Sequence, residues 1–198
     1  MYLRESTVRK AAQSDVRIVT KSLDAARILK ESVETAAANQ RFDVFLSHSI
    51  RDAEIVLGAK KVLEDRGLTV YVDWIVDPSM DRSYVTAGTA ETLRMRMKNS
   101  RVLLYLYSQN SRRSRWMPWE LGYFDGFRST VAILPVLPDN GAVDFSGEEY
   151  LNLYPKVEII GRHIYVNRTR GDTIPANDRE NWRVFENWAQ DPEQLRML

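Results

Sequence analysis

The chain contains no cysteine. That excludes disulfides, thiolate metal sites and a cysteine nucleophile, and it fits a reducing compartment. Only two histidines are present, His48 and His163, and they lie far apart in sequence. No metal constellation and no nucleophile–histidine–acid triad can be assembled from them. There is no Gly-x-Gly-x-x-Gly and no Walker loop, which argues against reversible dinucleotide use and NTP hydrolysis. No apolar run reaches membrane-spanning length. Residues 1–19 carry charges without an apolar signal core, so a cytoplasmic protein is expected. Nor does one sign of charge dominate. The 28 Lys and Arg against 27 Asp and Glu leave a net charge of +1, so no global field recruits nucleic acid.

What is present suits a single globular domain with an extension: 198 residues, 44% of them hydrophobic. Residues 1–19 read as a weakly structured polar arm. Residues 20–38 carry Leu23, Ala26, Leu29, Val33 and Ala36 at spacings of three and four, an amphipathic helix that Asn39 can end. Its alanine-rich stripe suits docking on the main domain or on a partner. Units 1–40, 41–170 and 171–198 are expected to be an N-terminal arm with helix, the main domain, and a C-terminal helix packed on that domain.

From Phe42 onward, strands and helices alternate. Strands are expected at 42–46, 68–72, 102–107, 131–136 and 163–166. Helices are expected at 52–65, ending at Gly67, at 86–99, at 116–127 and at 181–189. Pro118 fits the third of these only because it lies in the first turn. The pattern predicts an α/β fold, a central parallel five-stranded sheet with helices on both faces and an N-terminal helical extension. A flavodoxin-like order 2-1-3-4-5 opens its ligand crevice between the first and third strands, at their carboxyl ends. Ser47 follows the first strand and Glu120 follows the third, so topology alone brings them to one crevice.

Two segments carry chemistry. In Ser114-Arg-Trp-Met-Pro-Trp-Glu-Leu-Gly122, Trp116 and Glu120 are four apart and share a helix face; a carboxylate beside an indole suits a sugar and nucleotide site. In Arg41-Phe-Asp-Val-Phe-Leu-Ser-His-Ser-Ile-Arg-Asp52, a strand breaks into small polar residues before a helix. Glu120 taken alone reads as an acid favoured near a helix start, Trp116 equally as core packing, and Asp52 as a cap. Ser47, His48 and Ser49 are candidates to bond a phosphate or carboxamide, or a loop that caps the next helix. Trp119 faces another side of its helix and reads as structural. The basic residues Arg94, Arg96, Lys98, Arg101, Arg112, Arg113 and Arg115 are balanced by acids and read as a solvated surface rather than a nucleic-acid patch.

Taken together, the two segments resemble the Toll/interleukin-1 receptor (TIR) family. The opening motif is Asp43, the apolar Val44–Leu46, Ser47 and the loop to Asp52. The later one is Trp-x-x-x-Glu at Trp116 and Glu120, with Tyr71-Val-Asp-Trp74 between. The resemblance covers roughly residues 41–170 and is nearer to soluble bacterial members than to animal receptors. It implies a flavodoxin-like TIR fold and cleavage of NAD+, with Glu120 catalytic and NAD+ as substrate rather than cofactor. It also implies self-association, action in antiphage defence, and a downstream effector that responds to the product. Residues 73–84 correspond to the family's BB loop, in which Trp74 is a candidate to stack on a base; no glycine occurs there. Arg115, with Arg112 and Arg113, is a candidate contact for the pyrophosphate. A non-catalytic TIR adaptor and a flavodoxin-like binding module are the alternatives. Neither a membrane nor a nucleic-acid partner is expected.

Overall fold

The computed structural model describes residues 1–14, 22–36, 39–73, 87–142, 145, 148–167 and 182–192. The elements run β1 (Leu3–Arg4), α1 (Glu5–Gln13), α2 (Ser22–Glu34), β2 (Phe42–Ser47), α3 (Ala53–Glu64), β3 (Val70–Val72), α4 (Ala87–Lys98), β4 (Ser100–Tyr107), α5 (Trp116–Phe127), β5 (Val131–Leu137), β6 (Lys156–Ile160), β7 (His163–Asn167), β8 (Trp182–Val184) and α6 (Phe185–Gln190). They build one eight-stranded sheet in the order β3-β2-β4-β5-β6-β7-β8, with β1 paired to β5. β3, β2, β4, β5 and β6 run parallel to one another. Among the described residues no helix is long and apolar enough to cross a membrane.

β4 and β5 are almost entirely buried, which is why they read as unbroken apolar runs: helices cover both of their faces. Side-chain alternation then sorts the strands into two cores. Val44, Leu46, Val70, Val72, Val102, Leu104 and Leu106 face one side, with α1, α2, α3 and α6. Phe45, Tyr71, Leu103, Tyr105 and Tyr107 face the other, with α4 and α5.

Asp43 works at the amino end of β2. Its carboxylate accepts from Thr69 N at 2.9 Å, Thr69 Oγ1 at 2.8 Å and Arg101 Nη1 at 3.0 Å, fastening the start of β2 to the residue before β3. α3 ends as its glycine demands. Gly67 has φ of 87°, and its N–H bonds the Glu64 carbonyl at 2.9 Å.

Three expectations need correcting. Residues 1–14 are not a weakly structured arm. β1 pairs with the carboxyl end of β5, Leu3 opposite Val136 and Arg4 opposite Leu137, and Ile159 N donates to Met1 O. α1 then lies across α3 at Gly58, where a side-chain carbon would stand 1.8 Å from the Val8 carbonyl oxygen. Arg4 Nη1 holds the 138–141 turn through the Pro138 and Gly141 carbonyls at 2.9 and 2.5 Å, and Arg9 pairs with Glu54. The anchors are one glycine and scattered polar contacts, so no long apolar stripe announces them. The fifth parallel strand is β6, absent from the expected set, whereas 163–167 runs back antiparallel to it. Finally, 181–189 is not all helix. Trp182–Val184 pairs with β7, and Trp182 packs edge-on to Tyr165 at 5.6 Å, as a cross-strand aromatic pair does. α2 docks on the main domain through Ala25, Ile28 and Leu29, buried in the aliphatic core; of these only Leu29 belongs to the expected stripe, and Ala26 is just partly buried.

Candidate active site

The crevice forms where the chain leaves the sheet at the ends of β2 and β4. Ser47, the last residue of β2, lies beside Tyr105 of β4. Its pleat position turns it toward the aromatic core and α5. α5 opens with the Ser114 hydroxyl accepting from Met117 N at 3.3 Å, and Pro118 occupies its first turn, where no amide hydrogen is needed. Met117, Leu121 and Phe124 form the buried stripe of this helix, and Glu120 lies within that stripe.

Glu120 is therefore the fifth residue of α5, inside the protein, and not an acid decorating the first turn. The Ser47 hydroxyl donates to Glu120 Oε2 at 2.5 Å. Ser47 is 1% exposed and Glu120 4%. A carboxylate is this deeply buried only when specific partners stabilise it, and the serine hydroxyl is one of them.

Tyr71 of β3, marked in sequence only as the start of Tyr71-Val-Asp-Trp74, lies in the same aromatic core as Phe45 and Tyr105. Burial, above all, pushes its phenol well above the ordinary tyrosine range. The charges of Asp73 and Glu120 push the same way, and Arg96 opposes them. The Arg96 guanidinium stands 5.1 Å from the Tyr71 ring centroid. Tyr71 thus remains a protonated hydroxyl in the electrostatic field of Glu120. Its signal is its alternate position on a strand next to β2, readable only once strand order is known.

The other expected residues divide. His48 and Ser49 are buried in the same loop, and the Ser49 hydroxyl accepts from Arg51 N at 3.4 Å, capping the 3-10 turn Ile50–Asp52. Trp116 is half-buried at the head of α5, its ring edge-on to Trp119 at 5.2 Å. Trp119 stacks on Tyr123 at 5.7 Å with the Arg94 guanidinium over both rings, in keeping with a structural role. Arg115 is exposed beside the start of α5. Arg112 instead turns to Tyr107 and the buried Glu148. Trp74 and residues 75–84 of the expected loop lie outside the described residues. Asp52 stands at the N-cap position of α3 but its side chain does not cap the helix. It accepts instead from Ser108 Oγ at 2.5 Å and Asn110 Nδ2 at 2.7 Å, both in the loop after β4.

Residues 44–163, which include this entire crevice, match the family model described as TIR domain. The chain belongs to the TIR domain family. It is 43% identical over 166 residues, covering 84% of each chain, to the "Probable 3' cyclic ADP-D-ribose synthase ThsB'" of Bacillus cereus (strain MSX-D12). It is also 29% identical over 98 residues to the "Putative cyclic ADP-D-ribose synthase TIR2" of Cytobacillus dafuensis, covering 48% of this chain and 26% of that one. The first match is longer than the segment that matches the TIR family model, so the two chains share sequence beyond that segment.

Proposed function

We propose that this TIR domain cleaves the N-glycosidic bond of NAD+, releasing nicotinamide and an ADP-ribose that closes to a cyclic product, with Glu120 as the catalytic residue. The observation that carries the reading is the buried Ser47–Glu120 pair at the switch point of the sheet, in a chain 43% identical to a protein named as a cyclic ADP-D-ribose synthase.

The chemistry suits a single carboxylate. Nicotinamide is cationic in NAD+ and leaves as a neutral base, so no acid is required at the leaving group. The ribose carbon it leaves becomes oxocarbenium-like, as in glycoside hydrolysis. A carboxylate already buried and aimed stabilises that developing charge without reorganising, and hydrogen bonds to the ribose hydroxyls orient the sugar. Ser47 fixes the carboxylate. Capture by water gives ADP-ribose; capture by a hydroxyl elsewhere in the same molecule, with loss of its proton, closes a ring.

In this reading Trp116 lines the ribose side, while His48 and Ser49 face the carboxamide or a phosphate. Arg115 approaches the pyrophosphate and Trp74 stacks on a base. The enzyme acts in the bacterial cytoplasm in antiphage signalling, self-associates through its TIR domain, and sends its product to a separate effector. The deciding experiment is mass spectrometry of NAD+ incubated with concentrated wild-type and Glu120→Gln protein. Nicotinamide is expected with wild type alone. Equal release by both would remove Glu120 from the chemistry, and release by neither would favour a non-catalytic adaptor.

A further inference from the structure

We infer that Asp52 is a positioning residue for this site: its buried carboxylate clamps the loop after β2 to the loop after β4 and so holds Ser47 against Glu120. The inference rests on the proposed NAD+ reaction for its catalytic consequence, but not for its geometry.

An aspartate at a helix N-cap ordinarily turns its oxygens back onto the first amides of its own helix. Asp52 does not. It is 4% exposed and directs Oδ2 to Ser108 and Oδ1 to Asn110, more than fifty residues on in sequence. Both oxygens of one buried side chain are thus engaged by the other loop, and the two bonds span the mouth of the crevice.

Hydrogen bonds continue from this clamp in both directions. On one side Asp52 N donates to the Ser49 carbonyl at 3.1 Å, and the Ser49 hydroxyl caps the same turn, two residues after Ser47. On the other, Asn110 N donates to Ser108 Oγ at 3.2 Å and Ser111 Oγ to the Ser108 carbonyl at 2.9 Å. Ser114 N then donates to the Ser111 carbonyl at 2.9 Å, and the Ser114 hydroxyl accepts from Met117 in the first turn of α5. Ser108 and Ser111 are themselves buried. The chain of bonds thus starts beside Ser47, passes through Asp52, and ends one turn before Glu120. Asp52 acts through these loops, and its role is geometric. An asparagine can serve it, since its oxygen accepts from Asn110 while its amide donates to Ser108 Oγ.

The test compares full-length wild type, Asp52→Ala, Asp52→Asn and a Ser108→Ala/Asn110→Ala double variant, which breaks the same two bonds from the other side should Asp52→Ala fold poorly. Two readouts are taken: kcat and KM for NAD+, and hydrogen exchange in residues 47–52 and 108–117. Asp52→Ala and the double variant are expected to lower kcat by about 10- to 100-fold, the scale of a misplaced catalytic group, with KM moving less than about threefold. Both should speed exchange in both segments, and Asp52→Asn should restore most of kcat. Exchange that rises only on the mutated side overturns the clamp. Wild-type kcat in folded Asp52→Ala reduces Asp52 to a fold-stabilising residue. Asp52→Asn as slow as Asp52→Ala would show that the charge, not the geometry, matters. Wild type inert toward NAD+ would defeat the proposed function, and the exchange pattern alone would then decide the clamp.

Discussion

The two faces of the sheet are made from different side chains. In the central strands one face is aliphatic, with Val44, Leu46, Val102, Leu104 and Leu106 packed against α1, α2 and α3. The opposite face of the same strands is aromatic, with Phe45, Tyr71, Tyr105 and Tyr107 against α4 and α5. Two buried polar pairs on the aromatic face of β2 and β4 join a hydroxyl to a carboxylate: Ser47 with Glu120, and Tyr105 with Glu148. An aliphatic layer cannot satisfy a buried acid, whereas tyrosine and serine place a donor inside a packed layer. The aliphatic face therefore carries stability, and the aromatic face can carry a buried carboxylate at a bearable cost.

The hardest blow to that contrast is a cavity in the aliphatic face. Leu104→Ala is expected to lower unfolding free energy by about 2–5 kcal/mol, with NAD+ turnover per folded molecule unchanged; urea titration beside an active-fraction assay measures both. A loss of turnover without loss of stability would end the division of labour. On the aromatic face Glu120→Gln keeps size and an acceptor for Ser47 but removes charge. Turnover should fall by at least ~100-fold while the melting temperature moves by only a few degrees, and NAD+ affinity changes much less than turnover. A large drop in melting temperature would make Glu120 a structural acid.

A smaller effect tests the outer layer of the aliphatic side. Gly58→Ala puts a methyl into the Val8 carbonyl, so α1 must shift, at about 1–3 kcal/mol. Amide exchange in residues 3–14 should rise while the α4–α5 side stays protected. Unchanged exchange would mean that α1 does not rest on Gly58.

The smallest effect comes from the end of β2 away from the crevice. Burial raises the Asp43 carboxyl, but hydrogen bonds from Thr69 and Arg101 outweigh it and hold its pKa below the ordinary value of 3.8. A carboxylate depressed in the folded state adds stability above its unfolded pKa and loses it as pH falls through the folded one. Asp43→Asn should therefore flatten the acid limb of stability below about pH 4 and leave turnover near neutrality alone. An unchanged acid limb would show that Asp43 adds nothing to it.

Elements with an internal period are legible in the sequence itself. β4 and β5 are continuous apolar runs, α5 spans the residues its pattern marks, and the switch-point rule puts Ser47 and Glu120 in one crevice. The features that escape such a reading depend on long-range partners. β1 and β8 are two- and three-residue strands specified by what they pair with. α1 buries only Val8 and Ala12 and relies on a glycine in another helix. Asp52 has the sequence context of a cap, and only the proximity of Ser108 and Asn110 reveals its other use. Tyr71 reads as part of a strand, and its coupling to Glu120 needs the β3–β2–β4 order. Tyr154, whose hydroxyl reaches Asp125 of α5 at 3.1 Å, has the same character.

The pairing of residues 3–4 with β5 also bears on the order in which the chain can fold as it is synthesised. Leu3 and Arg4 are synthesised long before Val136 and Leu137, the residues they pair with. Until those emerge, the first strand has no edge to join, and the contact it makes is among the most non-local in the chain. Such contacts form late, because loop closure is costly before they can reward it. A nascent chain halted within β5 would thus hold β2 to β4 and their helices with a loose amino end, the kind of intermediate that chaperones must shield.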